Sequence, residues 1–160
     1  MDKFRFIFLS IMLQASISIS AGYAPTLVQD SLKTLFPSVQ TVGWSIDRGY
    51  YVAGFKYNGF NMKVWFTPQG RWRMKQTDWQ VMDEAPDAIW HTFSFGPYST
   101  DNVLNVTLVE FPNQKAQVVV HIGIDNAQTE YQLFYLMNGE LINARNVTYM
   151  NDILGASTFL

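Results

Sequence analysis

The chain contains no cysteine. That excludes disulfides, thiol catalysis, cysteine metal sites and a lipid-modified cysteine at an export cleavage site. It contains two histidines, His91 and His121. Neither has a second histidine at ligand spacing, so no metal site is expected. No Gly-x-Ser-x-Gly segment is present to raise a nucleophilic serine, and no glycine-rich loop is present to cradle a phosphate. An excess of one charge is also lacking. The formal net charge is −2, which argues against a general affinity for nucleic acid. Beyond the N-terminus no apolar run approaches the ~20 residues of a membrane-spanning helix. Catalysis and cofactor binding thus have no legible machinery, and the chain is not expected to be an enzyme.

The N-terminus does carry a pattern. Lys3 and Arg5 precede the apolar run Phe6 to Leu13, and Ser18, Ser20, Ala21 and Gly22 follow. Cations, a short apolar stretch and small residues are the three parts of a secretory signal peptide. Residues 1–20 are expected to be removed after Ser20, with an uncleaved anchor as the alternative. Gln14 and the serines interrupt the run, which disfavours the anchor. Removing 20 of the 160 residues leaves 140, the size of one ordinary domain with a substantial core. Expected localisation is therefore periplasmic or secreted.

What the chain has in excess is aromatic residues, 16%, and their placement follows from the periodicity. Thr26 with Gln29 three residues on reads as a capping box. Leu27, Val28, Ser31, Leu32, Leu35 and Phe36 recur at helical spacing until Pro37 stops the helix. Strands are expected over Val39–Asp47, Tyr50–Tyr57, Phe60–Thr67 and Arg71–Asp78. Asn58-Gly59 is a strong hairpin signal, and Thr67-Pro68-Gln69-Gly70 is a second turn. The second half repeats the scheme. Ala85-Pro86-Asp87 opens a helix with Ile89, Trp90 and Phe93 inward, ended by Gly96-Pro97. Strands follow over Val103–Glu110, Ala116–Ile124, Tyr131–Met137 and, after Asn138-Gly139, Leu141–Thr148. The tail from Met150 shows no pattern. Helix then four strands, twice, predicts an α+β fold with helices on one face of an antiparallel sheet.

Phe36-Pro37-Ser38-Val39 with Trp44, Tyr51-Val52-Ala53-Gly54-Phe55, and Val64-Trp65-Phe66 with Gly70 resemble the first half of PepSY-like proteins. Ala85-Pro86, Gly96-Pro97-Tyr98-Ser99 and Leu136-Met137-Asn138-Gly139-Glu140-Leu141 are similar to the second repeat of that family, which is related in fold to β-lactamase inhibitor proteins. The resemblance covers about residues 25–145 and rests on turns and hydrophobic positions. It implies two tandem repeats, residues 25–78 and 79–150, sharing one curved sheet. It also implies export, commonly to a bacterial periplasm, and does not imply an enzyme. Met137-Asn138-Gly139 departs from the family, where an acidic residue usually precedes the glycine, which weakens any charged site at that turn.

Candidate chemistry is sparse. Asp83, Glu84 and Asp87 read as capping and dipole complementation at a helix start, with a cation site as the lesser alternative. The sequons at Asn105 and Asn146 fall inside expected strands. More informative is the first meander. A two-residue Asn58-Gly59 loop pairs Tyr57 with Phe60, Phe55 with Met62, Ala53 with Val64 and Tyr51 with Phe66, all facing the helix. Trp72 and Met74 fit the same phase. Trp65 then faces the other way, among Lys56, Lys63, Arg71, Arg73 and Lys75. Two readings of this face stay open: an ordinary solvated sheet surface, or a basic, aromatic-centred partner-binding face. The functional expectation is a noncatalytic exported module that binds a protein or an acidic envelope component there, with inhibitor-like action as one form of that binding. A structural or envelope-assembly role without a discrete ligand is the alternative, and an enzyme with no legible site is the third reading.

Overall fold

The computed structural model describes residues 24–124, 126, 128–150 and 154–160. The expected signal peptide, residues 1–20, lies outside them. In chain order come α1 (Thr26–Leu35), β1 (Gly43–Asp47), β2 (Tyr50–Tyr57), β3 (Phe60–Phe66) and β4 (Trp72–Asp78). A single 3-10 turn at Met82–Glu84 leads to α2 (Asp87–Ser94), β5 (Asn102–Glu110), β6 (Gln117–Ile124), β7 (Thr129–Leu136), β8 (Leu141–Asn146) and α3 (Ala156–Phe159). The eight strands form one antiparallel sheet in the order β1 to β8. The α+β class expected from the periodicity is present. The first strand is shorter than expected, beginning at Gly43 rather than Val39.

Turn chemistry sets the register. Asn58 and Gly59 take positive φ of 50° and 87°, the two-residue geometry whose twist matches the strands it joins. The resulting pairs, Tyr57 with Phe60, Phe55 with Met62, Ala53 with Val64 and Tyr51 with Phe66, are those the sequence predicts. The β3–β4 and β7–β8 turns share a different design. In each, a glycine with φ near +80° lies against a helix: Gly70 (φ +78°) against α1, Gly139 (φ +88°) against α2. A methyl group on Gly70 would stand 2.6 Å from Ser31 Oγ, and one on Gly139 would meet the Ala88 carbonyl oxygen. Only glycine permits both the conformation and the approach.

The two longer helices cover one face of the sheet. Val28, Leu32 and the following Phe36 pack on Ala53, Phe55, Met62, Val64 and Phe66. Ile89 and Phe93 of α2 pack on Val106, Val118, Val120, Ile122, Leu133 and Tyr135. The buried stripes are narrower than expected. Leu27, Leu35 and Trp90 are exposed, because burial follows a single row of residues four apart. The capping box is not formed either. Pro25 takes the N-cap position, so Thr26 is already inside the helix and makes no cap bond. The Gln29 amide instead donates back to the Ala24 carbonyl at 2.7 Å.

Tyr135, 1% exposed, lies in the α2 cluster. Burial, and secondarily the neighbouring Tyr98, pushes its phenol from 10.0 up to about 12. The unfolded chain therefore releases this proton first. Stability from Tyr135 is complete below pH ~10 and is lost as pH rises toward ~12. Thermal melts from pH 9 upward are expected to show a shallower alkaline decline for Tyr135→Phe than for the wild type. Equal declines would remove Tyr135 as the cause.

Candidate functional site

Residues of opposite phase build the second face. Gly43, Ser45 and Asp47 of β1 begin it; Val52, Lys56, Asn61, Lys63 and Trp65 continue it through β2 and β3. Trp65 was expected to stand open here, and the structure corrects this: Trp65 is 2% exposed. The C-terminal segment, unreadable in the sequence, lies over it. Leu154, Ala156 and Phe159 pack with Val52, Trp65, Met74, Val109, Phe111, Val119 and Phe134 in a third apolar cluster. Trp65 Nε1–H donates to Asp47 Oδ2 at 2.8 Å, and the Ala156 backbone N–H donates to the same oxygen at 2.7 Å. The Phe159 ring sits 5.6 Å from that of Phe111 and 5.9 Å from that of Phe134. An indole with its N–H satisfied and its rings covered is core, not a free anchor.

A β-bulge redistributes the expected basic cluster. The β3–β4 register shifts between Trp65 and Phe66, so Trp72 pairs with Phe66 but Met74 pairs with Trp65. Met74, expected beneath the helix, therefore joins Trp65 on the second face. Lys75 goes the other way. It pairs with Val64 on the helix-bearing face and makes an ion pair with Glu110 at 2.9 Å. Arg73 is the extra residue of the bulge, and with Arg71 it lines a separate cleft beside α1. Of the six residues expected around an open face, only Lys56 and Lys63 are exposed on it.

What remains uncovered is a concavity of ≈ 1100 Å³ that crosses the sheet from β2 to β7. Lys56, Asn61 and Lys63 line it on one side, and His121 and Gln132 on the other, with Gln76, Asp78, Asn105 and Thr107 between. Leu154 and the Ser38–Thr41 segment also line it. Several of these groups are held by neighbours. Gln76 Nε2 donates to the Leu154 carbonyl at 3.3 Å. Asn105 Nδ2 donates to Thr107 Oγ1 at 3.2 Å, and Arg145 Nη2 donates to Gln132 Oε1 at 3.2 Å. His121 Nε2 and Glu130 Oε2 are 2.8 Å apart. Lys56 and Lys63 make no ion pair among the described residues. Asp78, paired with Asn61 on one side and Thr107 on the other, has one carboxylate oxygen, Oδ1, shielded from solvent without a donor from the described residues.

Lys56 and Lys63 were expected on this face; the polar pairs of β4, β5 and β7 were not expected as a site, although a signal for them exists. Gln76 and Asp78, Asn105 and Thr107, and Glu130 and Gln132 are each polar pairs two residues apart in mostly apolar strands. That spacing places a pair on one face. Their convergence depends on the strand order, which periodicity does not supply. The arrangement is suited to hydrogen bonding and charge pairing over an extended surface. Among the described residues, no three His, Asp or Glu side chains gather to hold a metal ion.

Comparison with known proteins gives relatives of this architecture. The chain is 49% identical to a DUF2874 family protein from Bacteroides uniformis, with a TM-score of 0.84 over 86% of this chain and 100% of that one. It is 45% identical to a protein from Bacteroides eggerthii proposed to be periplasmic, with a TM-score of 0.84 over 87% and 100% of the two chains. A BLIP-like protein from Bacteroides fragilis is 28% identical, with a TM-score of 0.76 over 84% and 95%. No family model and no curated protein matches the chain. The fold is BLIP-like, as the inhibitor-related part of the resemblance implies. The protein is periplasmic or secreted, in line with the B. eggerthii relative. Among the described residues no helix is long and apolar enough to cross a membrane.

Proposed function

We propose, from the premise that this chain belongs to the DUF2874 family, that it is a noncatalytic binding module holding a protein partner in the open groove of its sheet. The observation that carries this reading is the Asp78 carboxylate. A shielded carboxylate oxygen without a donor is costly, and this one lies in the floor of an open concavity. A partner's ammonium or guanidinium entering the groove beside this carboxylate offsets that cost through its charge, without reaching Oδ1 itself. Lys56 and Lys63, exposed and without ion pairs among the described residues, then meet acidic groups on the partner and steer its approach. The BLIP-like neighbour supports a binding role for such a sheet. The PepSY-like kinship and the two repeats, residues 25–78 and 79–150, belong to the same proposal. They are supported by matching devices in the two halves: a helix-seated turn glycine in each, and a bulge in β3–β4 and again in β7–β8.

Photo-cross-linking in intact cells tests the reading. A benzophenone side chain at Lys63, on the groove, is expected to give one discrete adduct. The same group at Lys33, exposed on α1, is expected to give none. Asp78→Asn should reduce the Lys63 adduct about tenfold, the equivalent of ~1.4 kcal/mol. Identical products from both positions, or no adduct from Lys63, would overturn the proposal.

A further inference from the structure

The geometry points to a second, separate site: we infer that the cleft formed by α1, the start of β4 and the β5–β6 connection binds an amphiphilic anion. Its ligand is one carboxylate or phosphate group carried on an aliphatic body. The cleft is ≈ 590 Å³, within the range of about 300–1,000 Å³ typical of small-molecule sites. It shares no lining residue with the groove around Asp78, so the inference stands apart from the proposed function.

Two kinds of side chain meet there. Arg71 and Arg73 supply cationic donors, and neither makes an ion pair among the described residues. Leu35 and Leu160, 43% and 40% exposed, line the same cleft with Trp72 and Phe111. Solvated arginines alone need no explanation, and single exposed leucines need none. Their concentration in one concavity defines a ligand with both a charged end and an apolar end. Guanidinium forks match carboxylate and phosphate geometry in two-point contacts.

The cleft is also preformed. Arg73 is the unpaired residue of the β3–β4 bulge, a device that turns a side chain away from its regular direction. Arg71 follows Gly70, which is pinned against α1 by its positive φ and its approach to Ser31 and Leu27. The nearby hydroxyls do not compete as donors. Ser31 Oγ donates to the Leu27 carbonyl at 2.8 Å, and Thr34 Oγ1 donates to the Asp30 carbonyl at 2.9 Å. The charged donors for an anion are therefore the two arginines, with the side-chain amides of Asn113 and Gln114 on the same lining.

Isothermal titration of the protein lacking residues 1–20 tests the site, with decanoate and decyl phosphate below their micellar concentrations. At least one is expected to saturate at one per chain, and the comparison decides which headgroup is preferred. Decanol, which lacks the charge, and acetate and inorganic phosphate, which lack the tail, should each bind at least tenfold more weakly. Arg71→Gln and Arg73→Gln should each weaken the preferred amphiphile at least fivefold, with an unchanged urea midpoint. Lys33→Gln, on α1 outside the cleft, should leave binding intact. Decanol binding as tightly as decanoate, no saturation by either anion, or insensitivity to both arginine changes would overturn the inference. So would binding confined to phosphatidylglycerol vesicles, which would make the region a membrane contact.

Discussion

Trp65→Ala is expected to lower folding stability by about 3–5 kcal/mol, the usual loss for a fully buried large aromatic. Loss on this scale corresponds to a melting temperature lower by roughly 10 °C or more. The indole is 2% exposed, lies between Val52 and Met74 in the sheet and is covered by the C-terminal segment. Trp65→Phe separates the two contributions. It keeps most of the packing and removes the N–H bond to Asp47 Oδ2, a bond to a carboxylate worth about 1.5–3 kcal/mol. Urea unfolding reads both variants. A Trp65→Ala midpoint equal to wild type would restore the open-face reading of this residue.

Phe66→Ala should be as damaging, about 3–5 kcal/mol, although its side chain points the opposite way. Phe66 is 0% exposed, packed in the α1 cluster with its ring 6.4 Å from that of Trp44. Adjacent residues on a sheet with one wet face give one large and one small loss, because their side chains alternate between core and solvent. Comparable losses at Trp65 and Phe66 are the mark of a sheet covered on both sides at this point. A small loss at Phe66 alone would mean that α1 contributes little to the core.

Most of the fold was legible because its instructions are local. Asn58-Gly59 specifies a turn within two residues, and the turn specifies every pair of the β2–β3 ladder. The helix starts at Ala85-Pro86-Asp87 and Pro25-Thr26 were similarly readable, though Pro25, not Thr26, took the cap position. The bulge was not legible. Extending the alternation from Phe66 through Trp72 to Met74 assumes an unbroken ladder, and one extra residue at Arg73 reverses the facing of Met74 and Lys75. That slip sent Lys75 to the Glu110 pair and left Arg73 as the extra residue, beside Arg71 in the cleft along α1; Trp65 keeps its expected face, and the tail alone turns it from open surface to core. The tail itself is a different case. Leu154, Ala156 and Phe159 have no periodicity over so short a span, and what holds them is an acceptor on β1 and rings on β5 and β7. No window of sequence contains both sides of those contacts.

The bond between the Ala156 N–H and Asp47 has a consequence for the order in which the molecule assembles. Every strand pairs with the next in sequence, so the sheet can grow by short loop closures as the chain emerges, and such contacts form quickly. The Ala156–Asp47 contact instead closes a span of 109 residues, for which loop entropy alone costs about 4 kcal/mol by its logarithmic dependence on length. That cost is smallest once the sheet has fixed β1 and β8 at its opposite edges, so that only the short segment after β8 is left to order. Docking of the last residues over Trp65 is therefore expected late in folding. Contacts made after the rate-limiting barrier govern how slowly the native state opens rather than how fast it forms. The C-terminal segment is thus expected to act as a latch on the lifetime of the folded protein, its removal speeding unfolding more than it slows refolding.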